Sequence, residues 1–292
     1  MNAHFRPSLL LATGLLAAAM VPSAALAAQS YDNCTGFIDS LPATITTQGT
    51  WCLRHDLAIA LTTGAAIVVA TNNVTLDCND FKVGGLAAGP GTKAVGIQAQ
   101  ERLNVTVRHC NVRGFYNGVQ LQNTADGGHL LEDNRFDANT YIGISVAGDG
   151  SVLRGNAVRD TGGSTATLGS AFGIVANGSV DLRDNTVSGV VPTPNASGVA
   201  IAYGIYTYQN LDASISGNTV RNLVSAGAGV GRGIYNVASG RLSLVDNRVV
   251  GGGNGTGLSC TNANGRAKRN AVSGFTTAVL SCGDAGGNDV SP

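Results

Sequence analysis

A short phrase recurs along the chain and limits the folds that the chain can adopt. Each copy consists of an apolar residue, two variable residues, Asn, any residue, and then a β-branched or aromatic residue, as in Leu153 to Val158. Internal repetition of this kind is typical of stacked, solenoid-like architectures. The eight copies, three of them degenerate, begin at Leu76, Val107, Leu131, Leu153, Leu182, Ile215, Leu244 and Ala267.

A second phrase, Gly followed by an aliphatic residue, comes after each copy of the first. The distance from this Gly to the next Asn position varies little, whereas the distance from the Asn position forward to the Gly varies widely. Insertions are therefore expected at one corner of the repeat. The second phrases are Gly96-Ile97, Gly118-Val119, Gly143-Ile144, Gly173-Ile174, Gly204-Ile205, Gly233-Ile234, Gly257-Leu258 and, more loosely, Ala278-Val279.

The length of the repeat predicts short parallel strands. Asn134 and Asn156 are 22 residues apart, which is too short for a βαβ unit of about 30 residues. It is long enough for three short strands and three turns in which apolar residues alternate. Because every rung repeats the previous one in the same direction, we expect parallel pairing at a spacing of about 4.8 Å. The Asn side chains should stack and bond to their equivalents in neighbouring rungs.

These phrases, which run from Val74 to Leu280, resemble the right-handed parallel β-helix repeat of the pectate-lyase-like superfamily, especially its short-rung members. The resemblance implies an all-β, right-handed parallel β-helix with about eight or more three-stranded rungs over residues 63–292. Residues 28–62 precede the regular repeat and look like a disulfide-containing N-terminal cap. The superfamily includes polysaccharide lyases, glycoside hydrolases, epimerases and adhesins, so the resemblance implies a fold more narrowly than an activity.

The first 27 residues have the layout of a secretory signal peptide. Arg6 precedes an apolar run from Leu9 to Ala19, and the small-residue stretch ends at Ala27. The apolar run is shorter than the roughly 20 residues of a spanning helix, and no second run follows, so no membrane span is expected. We therefore predict a secreted or periplasmic protein.

The cysteines fit an oxidising compartment, because all six follow the predicted cleavage site. Cys260 and Cys282 occupy matching Leu-Ser-Cys phrases 22 residues apart, which is one rung, and equivalent positions on adjacent rungs lie close enough for a disulfide. The remaining four cysteines allow three connectivities, of which we favour the pairs Cys34–Cys52 and Cys78–Cys110.

Charge and histidine content argue against several other classes of protein. The 18 basic and 18 acidic residues give a formal net charge of zero, so nothing favours nucleic acid or an anionic membrane as partner. His55, His109 and His129 are scattered and no CxxC motif occurs, so we expect neither a metal site nor a cofactor. We expect a monomer.

The residue after the aliphatic position of the second phrase should face outward. This column contains Gln120, Tyr206 and Tyr235, and the longest insertions enter the same strands beside Tyr203 and Tyr208. Flat amphipathic rings next to amide groups suit a sugar chain, so we predict that these residues bind a polysaccharide. The alternative is that the tyrosines only cover the sheet.

A search for catalytic groups gives few candidates. A glycoside hydrolase needs two carboxylates across the scissile bond, and Asp160 is the acidic residue nearest the insertions. Arg232 could act as the base of a lyase, which makes Asp160 and Arg232 the catalytic candidates. Asp126 and Asp149 precede glycines and fit turn positions. The sequence leaves a polysaccharide lyase or hydrolase and a non-catalytic structural or adhesion module both open.

Overall fold

The computed structural model describes residues 31, 33–209, 212–237, 240–261 and 264–291, except for the side chains of residues 124 and 125. The predicted signal peptide, residues 1–27, lies outside the described residues. Within them, no helix is long and apolar enough to cross a membrane. A 3-10 helix spans Leu86–Ala88.

The strands form three faces that follow one another in a fixed order around a coil. Face 1 leads up to the repeated Asn, face 2 follows that Asn, and face 3 carries the second phrase. In the described residues face 1 has eleven strands, which pair in parallel with their neighbours. They are Gly36–Ile38, Gly49–Leu53, Val74–Asp77, Val105–Arg108, Leu130–Glu132, Val152–Arg154, Asp181–Arg183, Asp212–Ser216, Arg241–Val245, Gly265–Lys268 and Gly283–Asp284.

Faces 2 and 3 are also built from parallel pairs, and two long strands, Arg248–Ser259 and Ala271–Leu280, bend from face 2 into face 3. The other strands of face 2 are Leu57–Ala58, Lys82–Gly84, Asn111–Arg113, Arg135–Asp137, Ala157–Gly162, Thr186–Val191, Thr219–Leu223 and Asp289–Ser291. The other strands of face 3 are Ala43–Ile45, Ala65–Val69, Val95–Gln100, Asn117–Asp126, Ile142–Asp149, Ser170–Asn177, Ile201–Tyr208 and Gly231–Asn236.

Each rung contributes one inward apolar side chain or more from every face. In one rung, Leu153, Val158 and Ile174 come from faces 1, 2 and 3 and have no exposed surface. Their equivalents in other rungs continue a single apolar core along the coil. Burial of this continuous core is the main stabilising contribution, because no rung could shield its apolar residues alone.

The repeated Asn residues form a hydrogen-bonded ladder inside the corner between faces 1 and 2, as the sequence predicts. The side-chain amide of Asn156 donates to the side-chain oxygen of Asn185 at 2.9 Å and to the carbonyl of Leu131 at 2.9 Å. The same Asn185 oxygen accepts from the Asn156 backbone N–H at 3.1 Å. Equivalent bonds join Asn134, Asn156, Asn185, Asn218, Asn247, Asn270 and Asn288.

The repeated Gly of face 3 permits a close approach between rungs. A Cβ atom on Gly173 would lie 2.6 Å from the carbonyl oxygen of Gly204 and 2.3 Å from a methyl group of Val187. Since both distances are far below van der Waals contact, only Gly fits there. The second phrase is therefore a packing requirement of the coil.

The coil begins before the regular repeat. Gly36–Ile38 pairs with Gly49–Leu53, and the latter pairs with Val74–Asp77. Parallel pairing thus extends into the segment 28–62, which the sequence assigned to a cap. The disulfides have Cα separations of 5.9, 4.7 and 5.0 Å and join Cys34 to Cys52, Cys78 to Cys110, and Cys260 to Cys282.

Candidate functional site

Seven aromatic side chains gather on the outer surface of face 3 and its entry. Phe172 and Tyr203 stack with ring centroids 4.6 Å apart, and Tyr206 and Tyr235 stack at 6.2 Å. Tyr203 also meets Tyr206 edge to face at 5.3 Å, which joins the two stacks. We call this cluster the aromatic platform, and it consists of Tyr116, Tyr141, Phe172, Tyr203, Tyr206, Tyr208 and Tyr235.

The alternation of a β-strand explains how the sequence builds the platform. In the strand Ile201–Tyr208, Ile205 is completely buried, while Tyr206 and Tyr208 are partly exposed on the opposite side. Parallel register then aligns Phe172 with Tyr203, and Tyr206 with Tyr235. Outward positions of successive rungs therefore place ring upon ring along the coil.

Arg232 lies over the platform. It aligns with Tyr203 of the preceding rung, and its guanidinium carbon is 4.0 Å from the ring centroid of Tyr235 and 5.2 Å from that of Tyr203. One guanidinium nitrogen donates to the Tyr203 hydroxyl at 3.3 Å. Burial raises the pKa of Tyr203, and the opposing charge of Arg232 does not reverse that rise. Tyr203 consequently keeps its hydroxyl proton at neutral pH.

Face 3 differs from the other two faces in charge. Faces 1 and 2 and their corners carry ion pairs, for example Arg108 with Asp77 at 2.7 Å and Arg269 with Asp246 at 2.7 Å. Among the described strands of face 3, the charged residues are Arg232 and two aspartates at strand ends, Asp126 and Asp149. The remainder of its outer surface consists of uncharged residues, namely amides, hydroxyls, rings, small residues and a few aliphatic side chains such as Val175.

The insertions form a ridge at the corner between faces 2 and 3. Gly169 donates its backbone N–H to Thr193 at 2.8 Å, and Ala200 and Ala226 exchange backbone hydrogen bonds across an antiparallel bridge. The ridge contacts the platform, because the hydroxyls of Tyr116 and Thr167 are 2.7 Å apart. The sequence predicted that the insertions gather at one corner of the repeat.

A cavity of about 610 Å³ lies at the other side of face 3, toward face 1. Tyr208 belongs to both the platform and this corner cavity, since its ring centroid is 5.7 Å from that of Tyr206. Burial raises the pKa of Tyr208, and the opposing hydrogen bond with the Asn177 side chain does not offset that rise. The corner cavity is lined by Glu101, Gln122, Asn123, Ala147, Gly148, Asp149, Asn177, Gly178, Tyr208 and Gln209.

A second cavity, of about 580 Å³, lies on face 1 around the ion pair between Arg241 and Asp212. Its described lining residues include no aromatic side chain. It therefore lacks the flat apolar surfaces that distinguish face 3.

The structure brings together most of the residues predicted to bind a polysaccharide. Tyr203, Tyr206, Tyr208 and Tyr235 are members of the platform. Gln120 stands in the same outward column as Tyr206 but three rungs away, since it aligns with Ser145, then Val175, then Tyr206.

Three platform residues were not identified from the sequence. Phe172 directly precedes Gly173, just as Tyr203 precedes Gly204, and this shared position was the available signal. Tyr116 and Tyr141 each lie two residues before the repeated Gly, and their rings stack at 4.7 Å.

The two catalytic candidates lie on different faces. Asp160 is exposed in the face 2 strand Ala157–Gly162, whereas Arg232 belongs to face 3 two rungs later. Within the described residues, no hydrogen bond or ion pair joins them. Nor do the described His, Cys, Asp and Glu residues include any group of three or more that could hold a metal ion.

Asp126 and Asp149 align in adjacent rungs, and Asp149 lines the corner cavity. One oxygen of Asp149 accepts the Ser179 backbone N–H at 2.7 Å, which joins this corner to the corresponding corner of the next rung.

Comparison with known proteins identifies the family. A family model described as a right-handed β-helix region matches residues 61–273, which is most of the chain. The chain belongs to the right-handed β-helix family. Among solved structures, this β-helix is similar to the crystal structure of the Agl-KA catalytic domain, with a TM-score of 0.34 and 11% identity.

That match covers 85% of this chain and 58% of the Agl-KA chain, so this β-helix spans little more than half of its length. So distant a similarity supports no argument about activity. No curated protein matches the sequence.

Proposed function

We propose that this β-helix protein binds an extracellular polysaccharide along face 3, with the aromatic platform as the contact surface. The observation that carries the proposal is the stacking of Phe172 on Tyr203 and of Tyr206 on Tyr235 under a guanidinium group. Ring faces pack against the apolar faces of sugars, while phenol hydroxyls and amides exchange hydrogen bonds with sugar hydroxyls. Three disulfides support an oxidising, extracellular or periplasmic location.

The geometry also suggests a direction for the chain of sugars. Platform residues succeed one another along the coil axis, and the ridge borders face 3 on one side. A linear polymer lying parallel to the axis would contact rings from several rungs at once. Several weak contacts then add up, which suits binding to an extended ligand.

Replacing Tyr206 and Tyr235 together by Ala tests the proposal. Each ring contact is worth about 0.5–1.5 kcal/mol, so we expect affinity for the bound polysaccharide to fall about thirtyfold. Affinity electrophoresis and calorimetry with a panel of soluble polysaccharides measure the change. Tyr31→Ala is the matched control, because Tyr31 packs against Phe37 in the N-terminal part of the coil. Equal binding by the double variant and the parent protein would contradict the proposal.

A non-catalytic structural or adhesion module is the second candidate. It is favoured by the mutual burial of the rings, since Tyr203 is only 9% exposed. If no polysaccharide binds and the double Tyr variant only loses stability, this second candidate is supported. Reducing ends and unsaturated products, followed with and without calcium on the same panel, test for hydrolase or lyase activity. Turnover abolished by Arg232→Ala or Asp160→Ala would establish an enzyme.

A further inference from the structure

Face 3 has few cationic groups that could bind an anionic polymer. Arg232 is the one cationic side chain in the described face 3 strands, and its guanidinium already lies over Tyr235 and donates to Tyr203. A carboxylate or sulfate on a polymer would therefore meet a single cation, part of whose surface is covered by the rings of Tyr203 and Tyr235. Recognition of anionic groups normally uses exposed cationic side chains with free donors.

The corner cavity adjoins the platform and carries negative charge, opposite to that of Arg232. Tyr208 leads from the platform into the cavity, where the acidic side chains of Glu101 and Asp149 line the wall. Amide side chains, including those of Gln122 and Asn177, complete the polar lining, and none of the described lining residues is Lys or Arg. A carboxylate accepts hydrogen bonds from hydroxyl groups and repels other anions.

We infer that the ligand of face 3 is a neutral, hydroxyl-rich polysaccharide, one sugar of which occupies the corner cavity and donates hydroxyl protons to Glu101 and Asp149. This inference rests on the proposed function and specifies its substrate class. The volume of about 610 Å³ is within the range of ligand pockets, which are about 300–1,000 Å³. Neutral sugars gain charge-assisted hydrogen bonds there, whereas uronic acids and sulfated sugars meet like charge.

The experiment compares two classes of polysaccharide on the full protein with its disulfides formed. A soluble mixed-linkage β-glucan and a galactomannan represent the neutral class, and polygalacturonate and alginate represent the acidic class. We expect binding to at least one neutral polymer and at least tenfold weaker binding to both acidic ones at low salt, because like charges repel most strongly there.

The variant that tests the cavity combines Glu101→Gln with Asp149→Asn. Asn retains an oxygen that can accept the Ser179 backbone N–H, so this contact between neighbouring rungs should survive. Loss of two charge-assisted hydrogen bonds should weaken binding of the neutral polymer by about tenfold or more and reduce discrimination against the acidic polymers. Asp289→Asn removes one acidic group from an exposed face 2 strand and should change neither quantity.

The outcomes separate this inference from the proposed function. If an acidic polymer binds most tightly and the double Tyr variant loses that binding, the proposed function stands and the neutral class is wrong. If a neutral polymer binds but the Glu101→Gln, Asp149→Asn variant behaves like the parent, the cavity assignment is wrong. If no polymer of either class binds, both are wrong.

Discussion

At the scale of single residues, His129 is the least expected feature of the interior. It is 1% exposed, and its Nδ1 atom accepts the Val105 backbone N–H at 3.3 Å, so the ring proton resides on Nε2. In the described residues Nε2 is buried without a hydrogen-bond partner. Burial lowers the pKa of His129 to about 4, well below the usual value of about 6.5.

This lowered pKa predicts a loss of stability in mild acid. As pH falls from about 6.5 to about 4, the unfolded chain binds a proton at His129 that the folded protein does not. The contribution of His129 to the free energy of unfolding should therefore be fully present above pH 6.5. The free energy of unfolding should fall by up to about 3 kcal/mol by pH 4. Urea unfolding at pH 7, 5.5 and 4.5 measures this slope.

His129→Gln should flatten the slope, whereas His55→Gln should preserve it because His55 is exposed. Asp77 contributes to the pH dependence of stability in a different pH range. Burial raises its pKa, but hydrogen bonds from the Asn79 backbone, Arg108 and His109 outweigh burial and lower it below 3.8. Its stabilising contribution is lost only at lower pH. An unchanged slope between pH 6.5 and 4 in His129→Gln would contradict the assignment.

At the scale of elements, the Asn ladder joins the rungs more specifically than the apolar core does. Apolar contacts tolerate small shifts, but each ladder Asn must meet donors and acceptors of two neighbouring rungs. The oxygen of Asn185 accepts both the backbone and the side-chain N–H of Asn156, and the Asn185 amide donates to the oxygen of Asn218. The ladder therefore fixes the register between rungs.

Asn185→Ala should destabilise the coil by about 3 kcal/mol or more, because it leaves buried donors and acceptors unpaired on both sides. Asn288→Ala is the comparison at the end of the described ladder, where Asn288 is half-buried and its amide donates to Ala267 and to the exposed Asp284 instead of to a further ladder Asn. We expect roughly half the loss there. Denaturant unfolding of both variants measures the difference, and equal losses would show that position in the ladder is unimportant.

At the scale of the whole molecule, the protein is a one-dimensional stack in which each rung contacts its neighbours. Such a stack can open from its ends without disturbing the middle. Two of the disulfides lie near the ends of the described coil, Cys34–Cys52 at the start and Cys260–Cys282 at the finish. These bridges should therefore limit local opening more than they determine the fold.

Replacing Cys260 and Cys282 by Ser removes a bridge across 22 residues and should destabilise the C-terminal rungs by about 3 kcal/mol. Amide hydrogen exchange should accelerate in the strands Gly265–Lys268 and Ala271–Leu280 and stay unchanged in Val152–Arg154. Replacing Cys34 and Cys52 by Ser should give the reciprocal pattern at the other end. A uniform acceleration along the coil would contradict the one-dimensional description.

The sequence alone determined the architecture, because the requirements of a β-helix are local and repeated. Each requirement of a rung is met by one residue: Leu153 fills the core, Asn156 pairs with the amide of the next rung, and Gly173 permits close approach of the backbones. The one-rung spacing of Cys260 and Cys282 likewise specified their pairing. Alternation along the strands was enough to turn Tyr206 and Tyr235 outward in adjacent rungs.

The tertiary structure decided how those parts meet. The insertions place the hydroxyl of Thr167 next to that of Tyr116. The ring orientations allow Phe172 to stack on Tyr203 and Arg232 to lie over it. The corner cavity joins residues of several rungs, such as Glu101 and Tyr208, whose approach depends on corner geometry. No periodic pattern encodes these distances, because corners and insertions lie outside the repeat that a sequence comparison can align.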